Sequence, residues 1–326
     1  MPLNSTRGAG SAKGFGFGAG GSPFIIATGG TITESGNFKI HTFTGPGSFV
    51  VSNLAKDPNN NEVSYLVVGG GAGSGGNQSH IAGGGGGGAG GYRESKAAND
   101  TYTASPLNGA TPITVTKTTF PITVGAGGAA AKAGPGVPVS GPGPEAAPGA
   151  NSVFSTITAT GGGRGGQPSQ APSNQAGDPG GSGGGGGGGS PPRAGGSGNS
   201  PPTSPAQGNN GGPGSTASQV LGGSGGGATG AGITSPACSP PPSTPSRGAG
   251  ATTSISGSPT LYSRGGSYSS YAPGAADPSC AGASNSGNGA DATNAGPLPA
   301  NPNAVAANYD GKAGGSGIIV IRYKFK

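Results

Sequence analysis

The chain has 326 residues, 78 of them glycine and 32 proline, and only 8% are charged. So much glycine and proline excludes the composition of an ordinary globular enzyme, and so little charge excludes the highly charged class of disordered chain. The net charge of +6 comes from scattered lysines and arginines, with no basic cluster and no basic–aromatic interleaving, so nucleic acid is not an expected partner.

The chain opens with "MPLNSTRGAGSAKGFGFGAGGSPF", which lacks the apolar segment of a secretion signal. No later run reaches the length of a membrane-spanning helix, so membrane insertion is not expected either. Residues 1–30 read as an N-terminal docking arm, with Phe15, Phe17 and Phe24 as the candidates for docking into a partner's grooves; the alternative is a frayed tail.

Strand signals follow. "NFKIHTFT" (37–44), Gly-Pro-Gly and "SFVVS" read as strand, turn and strand of a hairpin, with His41 half-buried in the first. "EVSYLVV" (62–68) is apolar on both faces and suits a buried strand. It runs into "GGGAGSGG", where Gly71, Gly73 and Gly76 match the G-x-G-x-x-G spacing. A dinucleotide site needs a helix directly after that turn and an acidic residue roughly 20 positions on. Glu94 and Asp100 stand at about that distance, but "NQSHIAGGGGGGAGGYRES" lies between. Glycine costs a helix about 1 kcal/mol per residue relative to alanine, so no helix forms there and no cofactor is expected. "TPITVTKTTFPITVG" (111–125) is rich in β-branched residues. "NSVFSTITATGG" (151–162) reads as a strand with Phe154, Thr156 and Thr158 on one face and Val153, Ser155 and Ile157 on the other.

Beyond residue 160 side-chain volume falls away: of the nine phenylalanines, only Phe325 lies after Phe154. Glycine runs such as Gly180–Ser190 and Leu221–Gly232 alternate with Pro/Ser/Asn-rich stretches, and similar runs occur earlier, between residues 69 and 91. One reading is a disordered linker. The other is a set of extended three-fold glycine helices, each rising about 3.1 Å per residue and bonded to its neighbours through the backbone. Cys238 and Cys280 have no companion His or Cys at zinc-ligand spacing, and form either a disulfide or two free thiols. "GSGIIVIRYKFK" closes the chain as a strand with Ile319, Ile321, Tyr323 and Phe325 on one face, and Ile318, Val320, Arg322 and Lys324 on the other. A long apolar edge is an aggregation hazard, so this strand must pair with those before residue 160.

The expected fold is therefore all-β with essentially no α-helix. Residues 31–160 and 316–326 form a β-sandwich that carries the glycine run 69–91. Residues 161–315 form a Gly/Pro-rich insertion, read as a polyglycine II helix bundle.

Ten carboxylates occur in no recognisable acid–base pair. The two histidines are His41 and His80, a loop residue, and neither G-x-S-x-G nor H-E-x-x-H is present. No catalytic, cofactor or metal site is expected. In "TLYSRGGSYSSYAPG" (260–274), Tyr262, Tyr268 and Tyr271 surround Arg264 among serines and glycines. Tyrosine offers rigid contact area and arginine pairs with anionic groups, so these four are candidates for recognition; the alternative is that the rings cover the sides of a glycine bundle.

The fragments "FKIHTFTGPGSFVV", "VSYLVVGGGAGSGG", "GGGGGGAGGYRES", "FPITVGAGG", "NSVFSTITATGGGRGG" and "GGSGIIVIRYK" occur in that order. The series resembles the glycine-rich domain virion proteins of tailed bacteriophages, cyanophages in particular. Its glycine runs also resemble the polyglycine-helix bundle of the adhesins at the tips of T-even-like long tail fibres, whose loops contact the host. Unlike those adhesins, this chain has a β-strand frame. The resemblance implies a virion protein made in the host cytoplasm, a tail-fibre or fibre-tip component that is oligomeric in the particle. Its implied partners are other virion proteins and a host surface polysaccharide or outer-membrane component. The alternative is a non-adhesive capsid or tail building block, such as a head-surface appendage or decoration protein.

Overall fold

The computed structural model describes residues 22–76, 83–132, 145–168, 175–215, 221–235, 247–269, 281–292 and 310–326. Among them the chain is mostly β, with three antiparallel sheets and no α-helix. The strands are β1 (Ile26–Thr28), β2 (Thr31–Ser35), β3 (Phe38–Phe43), β4 (Gly47–Asn53), β5 (Glu62–Val68), β6 (Tyr92–Ser95) and β7 (Ile113–Thr114). They continue with β8 (Thr119–Thr123), β9 (Ser152–Phe154), β10 (Ile157–Ala159), β11 (Ala251–Thr253), β12 (Thr260–Tyr262) and β13 (Ile318–Lys324).

One sheet has the order β2-β3-β13-β5-β6, with β7 also pairing β5; another has β1-β4-β8-β9-β10; β11 and β12 form a hairpin. The C-terminal strand is thus central. Ile319 pairs with Phe43 on one side and Val67 on the other. Its inward side chains Ile319, Ile321 and Tyr323 share a core with Phe43, Tyr65 and Val67 of their own sheet and Phe49, Val51, Ile122, Phe154 and Ile157 of the other. Ring contacts cross between the sheets, with Tyr65 and Phe154 at 5.9 Å and Phe49 and Tyr323 at 6.2 Å.

The other face of β13 is covered as well. Ile318 and Val320 pack with Ile40, Leu66, Val68 and Tyr92, and with Ala251, Ile255 and Tyr262 of the β11–β12 hairpin. The glycine-rich insertion therefore supplies apolar residues to a second core.

Three local readings are corrected. Phe38–Phe43 and Gly47–Asn53 do not form a hairpin, because β3 and β4 lie in different sheets. The Gly-Pro-Gly corner carries the chain across the core so that Phe43 and Phe49 enter it from opposite sides. Residues 151–162 are not one strand: β9 and β10 pair, with Phe154 opposite Ile157. Ser155 sits at φ 54°, and the tight turn there brings Phe154 and Ile157 into the same core while Thr156 and Thr158 are exposed. Finally, the last part of the expected arm belongs to the fold, with Ile26–Thr28 in a sheet. Ile25 and Ala27 are in the core, and β1 pairs with β4. Gly29 and Gly30, at φ 116° and 62°, make the crossing from β1 to β2 that a side chain would obstruct.

Candidate functional site

Glycine segments run from the sheets and return to them, bonded to one another through the backbone. From residue 69 to 75, successive N–H groups address three neighbours in rotation. Gly69, Ala72 and Gly75 donate to Gly91, Gly88 and Gly85; Gly70 and Gly73 to Ala150 and Ala147; Gly71 and Ser74 to Gly315 and Lys312. The carbonyls of Gly70 and Gly73 accept from Gly162 and Gly165, and those of Gly71 and Ser74 from Gly128 and Ala131. The segment 85–91 repeats the pattern: Gly85, Gly88 and Gly91 donate to Gly166, Gly163 and Thr160, Gly86 and Ala89 to Gly223 and Gly226, and Gly87 and Gly90 to Ala290 and Gly287. Each neighbour is met every third residue, where a β-strand would meet neighbours in alternation. The run 69–91 therefore bonds directly to segments of the insertion.

Such close approach needs residues without side chains. A Cβ on Gly70 would overlap the carbonyl oxygen of Ala126, and one on Gly87 that of Ala72. The fold answers the sequence's lack of apolar volume with satisfied backbone donors and acceptors.

The lattice has two ends. At one, Gly69 bonds to Gly91 beside Val68 and Tyr92 of the six-stranded sheet. At the other, Gly188 donates to Gly83, Gly222 to Ser269 Oγ, Ser215 to Leu221, and Ser235 Oγ to the Ser269 carbonyl.

The candidate recognition residues occupy different environments. Tyr262 lies in β12 and is 3% exposed, inside the second core. Tyr268 is 7% exposed. Both side chains are therefore buried, Tyr262 among Ile40, Leu66, Val68 and Ile255. Arg264 is half-buried, and its backbone N–H donates to Asn288 Oδ1 at 2.9 Å. Tyr271, Cys238, Cys280, His80, Phe15 and Phe17 lie outside the described residues. Phe24 is half-buried, lines an open groove with Pro23, Lys56, Asp57 and Asn60, and has Lys324 Nζ 5.9 Å from its ring centre.

The buried polar residues form joints between elements. Glu94 is fully buried and accepts from Tyr92 Oη at 2.8 Å, Ser105 N at 3.0 Å and Thr253 Oγ1 at 2.6 Å. It ties β6 to the following loop and to β11 of the insertion. Asp100 accepts from Ser64 Oγ at 2.8 Å and pairs with Arg322. His41 is fully buried between Gly29 O, at 2.7 Å, and Tyr323 Oη, at 3.1 Å. Burial holds its pKa below the ordinary value, so it is neutral near pH 7. Desolvation pushes the Tyr65 and Tyr323 phenols up to about 12. A recess of about 300 Å³ is lined by Arg93, Thr158, Thr160, Pro201, Thr203 and Gln207. Two of its side chains are engaged: Arg93 donates to the Pro205 and Ser204 carbonyls and Gln207 Nε2 to the Pro201 carbonyl. Among the described residues no group of three or more His, Cys, Asp or Glu could hold a metal ion.

These features define a mostly β protein that carries backbone-bonded glycine segments. The chain belongs to the glycine-rich domain family, whose profile matches residues 44–324, from just before β4 to the end of β13. Comparison with curated proteins gives no match.

Proposed function

We propose that this chain is a structural protein of a bacteriophage virion, a tail-fibre or fibre-tip module. In this reading the two large sheets make a β-sandwich base and the glycine segments make a polyglycine II bundle standing on it. Loops at the end of the bundle away from the sheets meet the host surface, a polysaccharide or an outer-membrane component. The observation that carries the reading is the rotation of backbone bonds among three neighbours along residues 69–75 and 85–91. Three residues per turn is the period of the polyglycine helix. A bundle of this kind gives a stiff support in which nearly all side-chain recognition falls to the connecting loops. The module is non-catalytic: Glu94 and Asp100 are occupied in holding elements together.

A second reading, a non-adhesive capsid or tail building block, is favoured by one observation. Tyr262 and Tyr268, the aromatic residues best suited to host contact, are buried. Fluorescently labelled protein incubated with host cells separates the two. The fibre-tip reading requires saturable binding that competes with phage adsorption. Absence of binding by folded protein, with incorporation into particles intact, would establish the building-block reading instead.

A further inference from the structure

The two edges of the six-stranded sheet are treated differently. At β6 the edge is closed: Tyr92 N donates to Gln207 O at 2.8 Å, and the Glu94 carbonyl accepts from Gly109 and Ala110. All four residues of β6 are buried. At β2 the edge is open. Thr31–Glu34 are exposed and Ser35 is half-buried, and among the described residues no backbone group outside β3 bonds to this strand. The exposure extends to the core face. Ile32 pairs with His41, whose ring is buried in the core, yet Ile32 is 44% exposed. The sheet therefore ends one strand short of covering its own apolar face. An open edge with unpaired backbone groups is a template for strand addition, and natural proteins normally block it with proline, a bulge or inward charge. β2 contains no proline and pairs with β3 in unbroken register. Its one charge, Glu34, lies 3.6 Å from Lys326.

The chain itself contains a segment suited to that edge. Residues 1–21 precede the described fold and include "GFGFG" at Gly14–Gly18. In an extended strand Phe15 and Phe17 fall on one face and the glycines on the other. Fully extended, the segment reaches roughly 70 Å, enough to bridge to another molecule. The Ser22 carbonyl accepts from Lys56 N at 2.9 Å, which fixes the point at which the described residues begin.

We propose that β2 accepts residues Gly14–Gly18 of a second copy as an added strand, with Phe15 and Phe17 covering the core face beside Ile32. The partner is a second copy of this chain, and the inference does not rest on host binding. It gives the virion reading a means of self-association: each copy donates one arm and accepts another.

Sedimentation velocity on the full chain tests it, with F15A/F17A as the arm variant and I32K as the edge variant. The wild-type protein is expected to associate at micromolar concentration, and each variant alone to be monomeric. An equal mixture of the two variants should form heterodimers, since one retains its arm and the other its edge. The arm variant alters no residue of the sheets, so its result stands even if I32K proves unstable. A monomeric wild type, association unchanged in the arm variant, or a mixture of folded variants that stays monomeric would overturn the proposal. Arm-dependent hydrogen-exchange protection of β2 in a monomer would also overturn it, by showing the edge to be filled by the molecule's own arm.

Discussion

Arg322 Nε lies 3.0 Å and 3.1 Å from the two carboxylate oxygens of Asp100, with both side chains almost fully buried. The guanidinium is also stacked, with its centre 4.5 Å from the Phe38 ring and 5.6 Å from that of Tyr102. The pair fastens the central strand β13 to the loop after β6. Removing one partner leaves a buried charge uncompensated, at a cost of about 3–5 kcal/mol. Asp100→Ala is therefore expected to lower stability by about that amount in urea titration, whereas replacing both residues together by apolar ones costs less. A loss below about 1 kcal/mol for the single change would mean that solvent reaches the pair.

Steric demand in the lattice gives a paired prediction. Gly70→Ala places a methyl group against the Ala126 carbonyl, while an alanine at Gly45 meets nothing within 4 Å. Overpacking of this kind costs about 1–3 kcal/mol, and the sterically unobstructed control should change stability by about 0.5 kcal/mol or less. Thermal melting of the two variants checks the difference. Equal melting temperatures would contradict the close packing.

His41 makes stability depend on pH. Its folded pKa is depressed by burial, so between that value and the unfolded one of 6.5 the unfolded chain binds the extra proton. Stability contributed by the neutral ring is complete above the unfolded pKa and falls as pH drops below it. Denaturant midpoints measured from pH 7.5 to 5 should decline, and His41→Gln should flatten that slope. An unchanged slope would place the titration elsewhere.

Strands β3, β4, β5, β8, β9 and β13 were legible in the sequence because runs of β-branched and apolar residues are a local signal, whereas β1, β2, β6, β11 and β12 are short or lie among glycines and were not read as strands. What failed was punctuation. The Gly-Pro-Gly corner at 45–47 reads as a hairpin turn yet crosses between sheets, while the turn at Ser155 has no Gly or Pro to mark it yet closes a hairpin. The second core was hidden because Ile255 and Tyr262 are isolated apolar residues in a glycine-rich stretch, and only the fold brings them to Leu66 and Val320. The same folding buried two of the candidate recognition tyrosines, Tyr262 and Tyr268, since exposure is not written in residue type.

Tyr262 supplies a further prediction. Its ring fills the second core, and truncation of a large buried aromatic costs about 3–5 kcal/mol. Tyr262→Ala should lose that amount in chemical denaturation. A variant of wild-type stability with impaired adsorption would return the residue to a recognition role.

The most direct test of the account is residue-level hydrogen exchange along Gly85–Gly91. Every N–H in this run donates to another segment's backbone, turning through three directions as it goes. Consecutive amides should therefore all be protected, to a degree approaching that of β5. Exchange at the rate of an unstructured glycine linker, or protection of alternate amides only, would contradict the three-fold lattice.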